Sequence, residues 1–265
     1  MALTICVLGS GSSGNSTYVG TEATGVLVDA GLSARETLRR VEAAGLSTSR
    51  LSAVLVTHEH GDHTAGLSVL HRRHKLSLYA NSGTIDNYVK AKNREEVADS
   101  LKWNVFQTGA PFELGDLRVD PFSVPHDALD PVGFIFTCQS IKIGVVTDMG
   151  MATTLIRERL RHCRVLVVEA NHDLHMLKNS GRPWSLIQRI LSRQGHLSNE
   201  ALADMLGEIG HTGMTDVFLA HLSRDCNDPA LAEKHVRKAL DKQGHSHIRL
   251  HLTYPDKPSF TVQVD

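Results

Sequence analysis

No two cysteines of this chain stand at chelating or redox spacing. Cys6, Cys138, Cys163 and Cys226 form no Cys-x-x-Cys, which excludes a zinc ribbon and a thioredoxin motif and leaves nothing that reads as a disulfide scaffold. Neither sign of charge is in excess: 28 Lys and Arg face 29 Asp and Glu. A nucleic-acid partner would therefore be held by a local basic patch rather than by a basic chain. No apolar run approaches the roughly 18 residues that span a bilayer, and Met1 to Ser10 has no basic region ahead of its short apolar stretch. The expectation is a soluble, cytoplasmic protein without contact with a membrane. Nor is there a Pro/Gly/Ser-rich linker to mark a boundary, so residues 1–265 read as a single domain. A chain of this length buries about 75% of its extended surface.

What the chain does have is 16 histidines, in a composition that is 41% hydrophobic and 22% charged, as in ordinary globular proteins. Strand-like runs fall at Thr4 to Leu8, Val26 to Asp29, Ala53 to Thr57, Leu76 to Ala80, Ile141 to Thr147, Val165 to Glu169 and Val217 to Ala220. Several are apolar throughout, as suits strands covered on both faces. Helices alternate with them. Ser33 with Glu36 makes a capping box before a stop at Gly45. Asp228-Pro229 starts a segment closed by Gly244, and a further helix runs from Ser198 to Ile209. The fold class is α/β. One echo stands out: Val28-Asp29-Ala30-Gly31 and Thr147-Asp148-Met149-Gly150 each end an apolar strand with an acid followed two residues later by glycine.

The strongest chemical signal is Thr57-His58-Glu59-His60-Gly61-Asp62-His63, directly after the apolar run Ala53 to Val56. Imidazoles and a carboxylate leaving a buried strand together can converge on cations. Imidazole suits zinc, manganese or iron, and the absence of nearby thiols points to an open, hydrolytic site rather than a closed structural one. The competing reading is a solvated histidine-rich loop.

This His-x-His-x-Asp-His motif resembles that of the metallo-β-lactamase superfamily, and the resemblance extends over essentially the whole chain. It implies a four-layer αββα sandwich. It also implies later ligands in the order His, Asp, His, a pattern that His126, Asp148 and His221 fill. By that likeness His58, His60 and His126 hold one divalent metal, Asp62, His63 and His221 a second, and Asp148 bridges the two. A hydroxide activated by both ions would be the nucleophile, with Asp62 also orienting it. Asp29 reads as a residue that bonds a ligand histidine and sets its tautomer.

Three segments resemble the YycJ/WalJ-type, nuclease-like group related to the tRNA 3′-processing branch: Leu8 to Ser16, Gly195 to Asn199 and His221 to Asn227. Val168 to Asp173 joins them. Glycines in the first turn backbone N–H groups toward an anion, to which Ser12, Ser13 and Asn15 add donors. The likeness implies that His196 is the general acid, with Glu169 as its orienter. Arg189 and Arg193, four apart, are expected on one helix face with Lys178 and Arg182 nearby, and Arg189 is a candidate phosphate contact. Relatives carry an aromatic and a Lys where this chain has Arg182 and Ile187. The implied activity is a metal-dependent phosphodiesterase, a DNA exonuclease acting 5′ to 3′. The alternative on the same metals is hydrolysis of a small ester, lactone or thioester.

Overall fold

The structure, a computed structural model, describes residues 2–92 and 101–265. In chain order its elements are β1 (Leu3–Gly9), β2 (Ser16–Gly20), β3 (Gly25–Val28), α1 (Ala34–Ala43), β4 (Leu51–Leu55), α2 (Gly61–Thr64), α3 (Leu67–His74), β5 (Ser77–Ala80), α4 (Ser82–Lys92), β6 (Trp103–Val105), β7 (Phe112–Leu114), β8 (Leu117–Ser123) and β9 (Val132–Cys138). There follow β10 (Ile141–Val146), α5 (Thr154–Leu160), β11 (Val165–Glu169), α6 (Leu174–Lys178), α7 (Trp184–Ile190), α8 (Asn199–Ile209), β12 (Asp216–Ala220), α9 (Pro229–Lys242), β13 (Arg249–Leu252) and β14 (Val262–Val264). Packing divides the chain into two compact units.

The first unit comprises Met1–Ser123, Ala128–Ile141 and Tyr254–Asp265. Its sheet has the order β14-β1-β2-β3-β4-β5-β6. Strands β14, β1, β2 and β3 pair antiparallel, and β3 through β6 run parallel. Cys6, Leu8, Leu27, Val54 and Val56 pack with Val41 of α1 and with Leu67 and Leu70 of α3, which explains why these strands read as unbroken apolar runs. An antiparallel meander β7-β8-β9 completes the unit. The capping box forms as expected: Ser33 Oγ accepts from Glu36 N at 3.3 Å. Arg40 of α1 is buried and donates to Leu8 O at 2.8 Å, Pro255 O at 3.0 Å and Glu36 Oε1 at 2.6 Å. Strand β4 stops at Leu55 rather than Thr57, which releases Thr57, His58 and His60 into the loop before α2, the helix that carries Asp62 and His63.

The second unit comprises Val124–Asp127 and Lys142–Thr253. Strands β10, β11, β12 and β13 lie side by side in that order, all parallel, so every strand delivers its C-terminus to the same end. Ser198 caps α8 and Asp228 caps α9, with Pro229 at its first position. Asp216, fully buried at the start of β12, accepts from Arg249 Nε and Nη2 at 2.8 and 2.7 Å and lies 2.7 Å from His251 Nε2.

Candidate metal centre

In the first unit the histidine motif is organised around one buried acid. Asp29, just past β3, has φ +63°, a left-handed backbone that is strained for a residue with a Cβ. Its carboxylate accepts from Thr57 N at 2.8 Å, from Thr57 Oγ1 at 2.8 Å and from His63 Nδ1 at 2.7 Å. Burial pushes the Asp29 carboxyl up, and these bonds oppose it. Because the carboxylate only accepts, His63 carries its proton on Nδ1 and keeps a lone pair on Nε2. The Thr57 hydroxyl gives its proton to Asp29, so it accepts from His58 Nδ1 at 2.9 Å, and His58 likewise keeps its lone pair on Nε2. His58 Nε2 stands 3.1 Å from His60 Nδ1. Two nitrogens at zinc-bonding distance in a tetrahedral shell lie about 3.3 Å apart, so this donor set fits a divalent cation.

The chain around these candidate ligands is held by close backbone approach. A Cβ on Gly31 would fall 1.6 Å from Asp62 O, and Asn15 N donates to that same oxygen at 2.8 Å. The Asn15 side chain is turned inward: Nδ2 lies 2.9 Å from His63 Nε2 and 3.3 Å from Asp62 Oδ2. It orients the histidine motif, whereas Ser12 and Ser13 are exposed. Glu59 faces elsewhere, accepting from Asn87 Nδ2 at 2.6 Å and Leu129 N at 3.1 Å.

In the second unit the strand ends assemble a second cluster. Asp148 follows β10, Glu169 ends β11 and His221 follows β12 with φ +56°. Asp148, Glu169, His196 and His221 each offer a ligand atom within 4.8 Å of the others. His221 Nδ1 lies 2.9 Å from Asp148 Oδ1 and 3.3 Å from Glu169 Oε1. Burial alone would depress His221, yet the two carboxylates raise it well above the ordinary histidine value. His196 Nδ1 lies 2.6 Å from Glu169 Oε1, and here too the carboxylates outweigh burial and raise the imidazole. Burial would lift Glu169, but His196 beside it holds the carboxyl down. The second Glu169 oxygen accepts from Met149 N at 2.8 Å and Leu197 N at 3.2 Å, which fixes the carboxylate.

His126 donates from Nδ1 to Gly195 O at 3.1 Å, which leaves Nε2 as its candidate ligand atom, and burial lowers it. Its neighbour Asp127 accepts from Arg189 Nε at 2.7 Å and also pairs with Nη2. Gly150 closes the second acid-x-glycine, and a Cβ there would lie 2.4 Å from Arg193 O. Arg193 is not on the helix face of Arg189. Helix α7 ends at Ile190, and the bonds Gly195 N to Ser192 O and His196 N to Ile190 O turn the chain beyond it. Arg182 pairs with Asp225 at 2.9 Å, and Lys178 is exposed. His172 is buried with no hydrogen bond at either ring nitrogen, and burial lowers it to about 4.

Sequence reasoning missed Thr57, whose hydroxyl couples Asp29 to His58. The available signal was a hydroxyl residue closing an apolar run immediately before the first ligand histidine.

Residues 24–221 match the beta-lactamase superfamily domain. The chain is 36% identical over 265 residues to exodeoxyribonuclease YycJ of Bacillus anthracis, with 98% of each chain covered. It is 36% identical over 227 residues to exodeoxyribonuclease WalJ of Streptococcus pneumoniae serotype 2 strain D39, covering 85% of this chain and 84% of that one. Among solved structures, the metallo-β-lactamase fold protein YhfI of Bacillus subtilis superposes with a TM-score of 0.75 over 100% of both chains at 15% identity. That likeness establishes the fold as the metallo-β-lactamase α/β sandwich. No helix of the described residues is long and apolar enough to cross a membrane.

Proposed function

The chain belongs to the beta-lactamase superfamily and, within it, to the family of the YycJ and WalJ exodeoxyribonucleases, and on that premise we propose that residues 1–265 act as one metal-dependent phosphodiesterase that shortens DNA from its 5′ end in the cytoplasm. The observation that carries the reading is the His196–Glu169 pair beside Asp148 and His221. It supplies an oriented proton donor next to candidate metal ligands.

Two divalent ions, zinc, manganese or iron, held by His58, His60, Asp62, His63, His126, Asp148 and His221, would activate water and neutralise charge on the phosphoryl oxygens. The chain's own groups do the rest. Asp29 and Thr57 fix the tautomers of His63 and His58, so that both present lone pairs. Asp62, steadied by the Asn15 amide, orients the attacking water. Glu169 keeps His196 protonated through Nδ1, and the opposite ring nitrogen delivers its proton to the departing 3′ oxygen as the P–O bond breaks. Ser12, Ser13 and Arg189 are the proposed contacts to the flanking phosphates.

A digestion time course of 5′- and 3′-labelled DNA and RNA oligonucleotides with added Mn²⁺ or Zn²⁺ tests this. We expect shortening of DNA from the 5′ end, abolished in His60→Ala and slowed about 10²–10⁴-fold in His196→Ala. Oligonucleotides left intact by the wild type, with turnover of small esters or lactones instead, would sink the reading.

A further inference from the structure

The stretch Leu174 to Ser198 contains Lys178, Arg182, Arg189 and Arg193 but no Asp or Glu, in a chain whose charges balance overall. Helix α7 lies at its centre. The helix buries Ile187 and Ile190 against Leu177, Leu186 and Cys226. At the edge of that buried face, one turn before Ile187, Trp184 is left 61% exposed, with Leu191 just beyond the last turn at 37%. Residues seven apart fall on one helix face, so an indole and an isobutyl group share one stripe beside the buried face, with Arg189 about 140° round the helix from the indole. An indole placed in water forgoes a large burial gain. Both ends of the helix are fixed: Pro183 precedes Trp184, and the turn after Ile190 is pinned by His126 on Gly195 O and leads straight into His196. Trp184 is therefore held at a set distance from the proposed general acid. It lies about 7.5 Å along the axis from Arg189, the residue that pairs with Asp127.

We propose that Trp184 is a stacking platform for a base of single-stranded DNA next to the bond being cut, with Arg189 and Arg193 along the adjoining phosphates. This rests on the nuclease reading above. Every base offers a π face, so an exposed indole in a stretch that carries four basic residues and no acid of its own, two of the arginines being paired with Asp127 and Asp225, suits a polynucleotide strand of any sequence.

The test compares wild type, Trp184→Ala and Trp184→Phe on a single-stranded oligonucleotide and on bis(p-nitrophenyl) phosphate, which has no base to stack at that distance. In Trp184→Ala the kcat/KM for the oligonucleotide should fall about tenfold relative to that for the small diester, through KM rather than kcat. Trp184→Phe should recover most of the loss. In the His60→Ala background the oligonucleotide should quench indole emission, and Trp184→Phe should remove the quench, since Trp103 is the other tryptophan. Digestion with KM untouched in Trp184→Ala would overturn the stacking alone. So would a change in oligomeric state on gel filtration with KM unchanged, since the indole would then cover a second copy. A wild type that neither digests nor binds oligonucleotides would overturn both readings.

Discussion

Asp29 and His221 share a backbone conformation that costs of order 1–3 kcal/mol at a residue with a side chain, and each carries candidate metal chemistry. The surroundings hold them there, and the glycines are part of that hold. Gly31→Ala should cost more than ~3 kcal/mol in a denaturant melt, because its Cβ meets a carbonyl oxygen at 1.6 Å. Gly61→Ala, inside the histidine motif yet facing open space, should shift stability by less than ~1 kcal/mol. His172 gives a pH signature. It is lowered to about 4 from an ordinary 6.5, so between those values the unfolded chain binds a proton that the folded chain does not. Its contribution is complete above pH 6.5 and is lost as pH falls toward 4, up to ~3 kcal/mol. A melting-temperature series from pH 4 to 7 should be flatter in His172→Gln. At this level the acid-x-glycine echo and the histidine motif were legible in the chain, because each is a short local pattern. The coupling of Thr57 to Asp29 was not, since it joins residues 28 apart through one hydroxyl.

Helix ends were the most readable elements. Ser33, Ser198 and Asp228 all accept from their first-turn amides, because capping is decided by a few adjacent residues. Strand β8 went unread: Pro121 interrupts a run that alternates buried and exposed positions, and its neighbour β9 is what secures it. The expectation of Arg189 and Arg193 on one face failed for a related reason. Helical spacing was extended past Ile190, where the backbone bonds to Ser192 and Ile190 end the helix. Between β12 and β13, Arg249 and His251 hold the Asp216 carboxyl well below its usual value despite burial. The stability this supplies is present above pH ~3.8 and declines as pH falls below that. Asp216→Asn should cost about 1–2 kcal/mol at neutral pH, because the buried position loses its charge-assisted bonds to Arg249 and His251 while the exposed Arg249 returns to water. It should also remove part of the acid-side loss seen by circular dichroism.

For the molecule as a whole, the superfamily fold was accessible from the ligand motif and its ordered followers rather than from strand prediction, which missed β2, β6, β7, β8, β9, β13 and β14. Metal binding couples to the stability of the entire chain. Dialysis against a chelator should lower the melting temperature and abolish phosphodiester cleavage, and Mn²⁺ or Zn²⁺ should restore both. A site filled at one hundred times its Kd contributes ~2.7 kcal/mol. A melting temperature indifferent to chelation would contradict a resident ion. The first unit is also closed by residues far along the chain: β14 pairs with β1, Ser10 N donates to Tyr254 O, and Ser259 Oγ accepts from Val7 N. These contacts have a temporal side. At ribosomal rates of about 5–20 residues per second, some 253 residues separate the end of β1 from the start of its edge partner, so the nascent chain carries an open strand edge for roughly 12–50 s. A message cut short near its end would leave that edge open for good, and its product is destined for aggregation or proteolysis even with every candidate ligand in place.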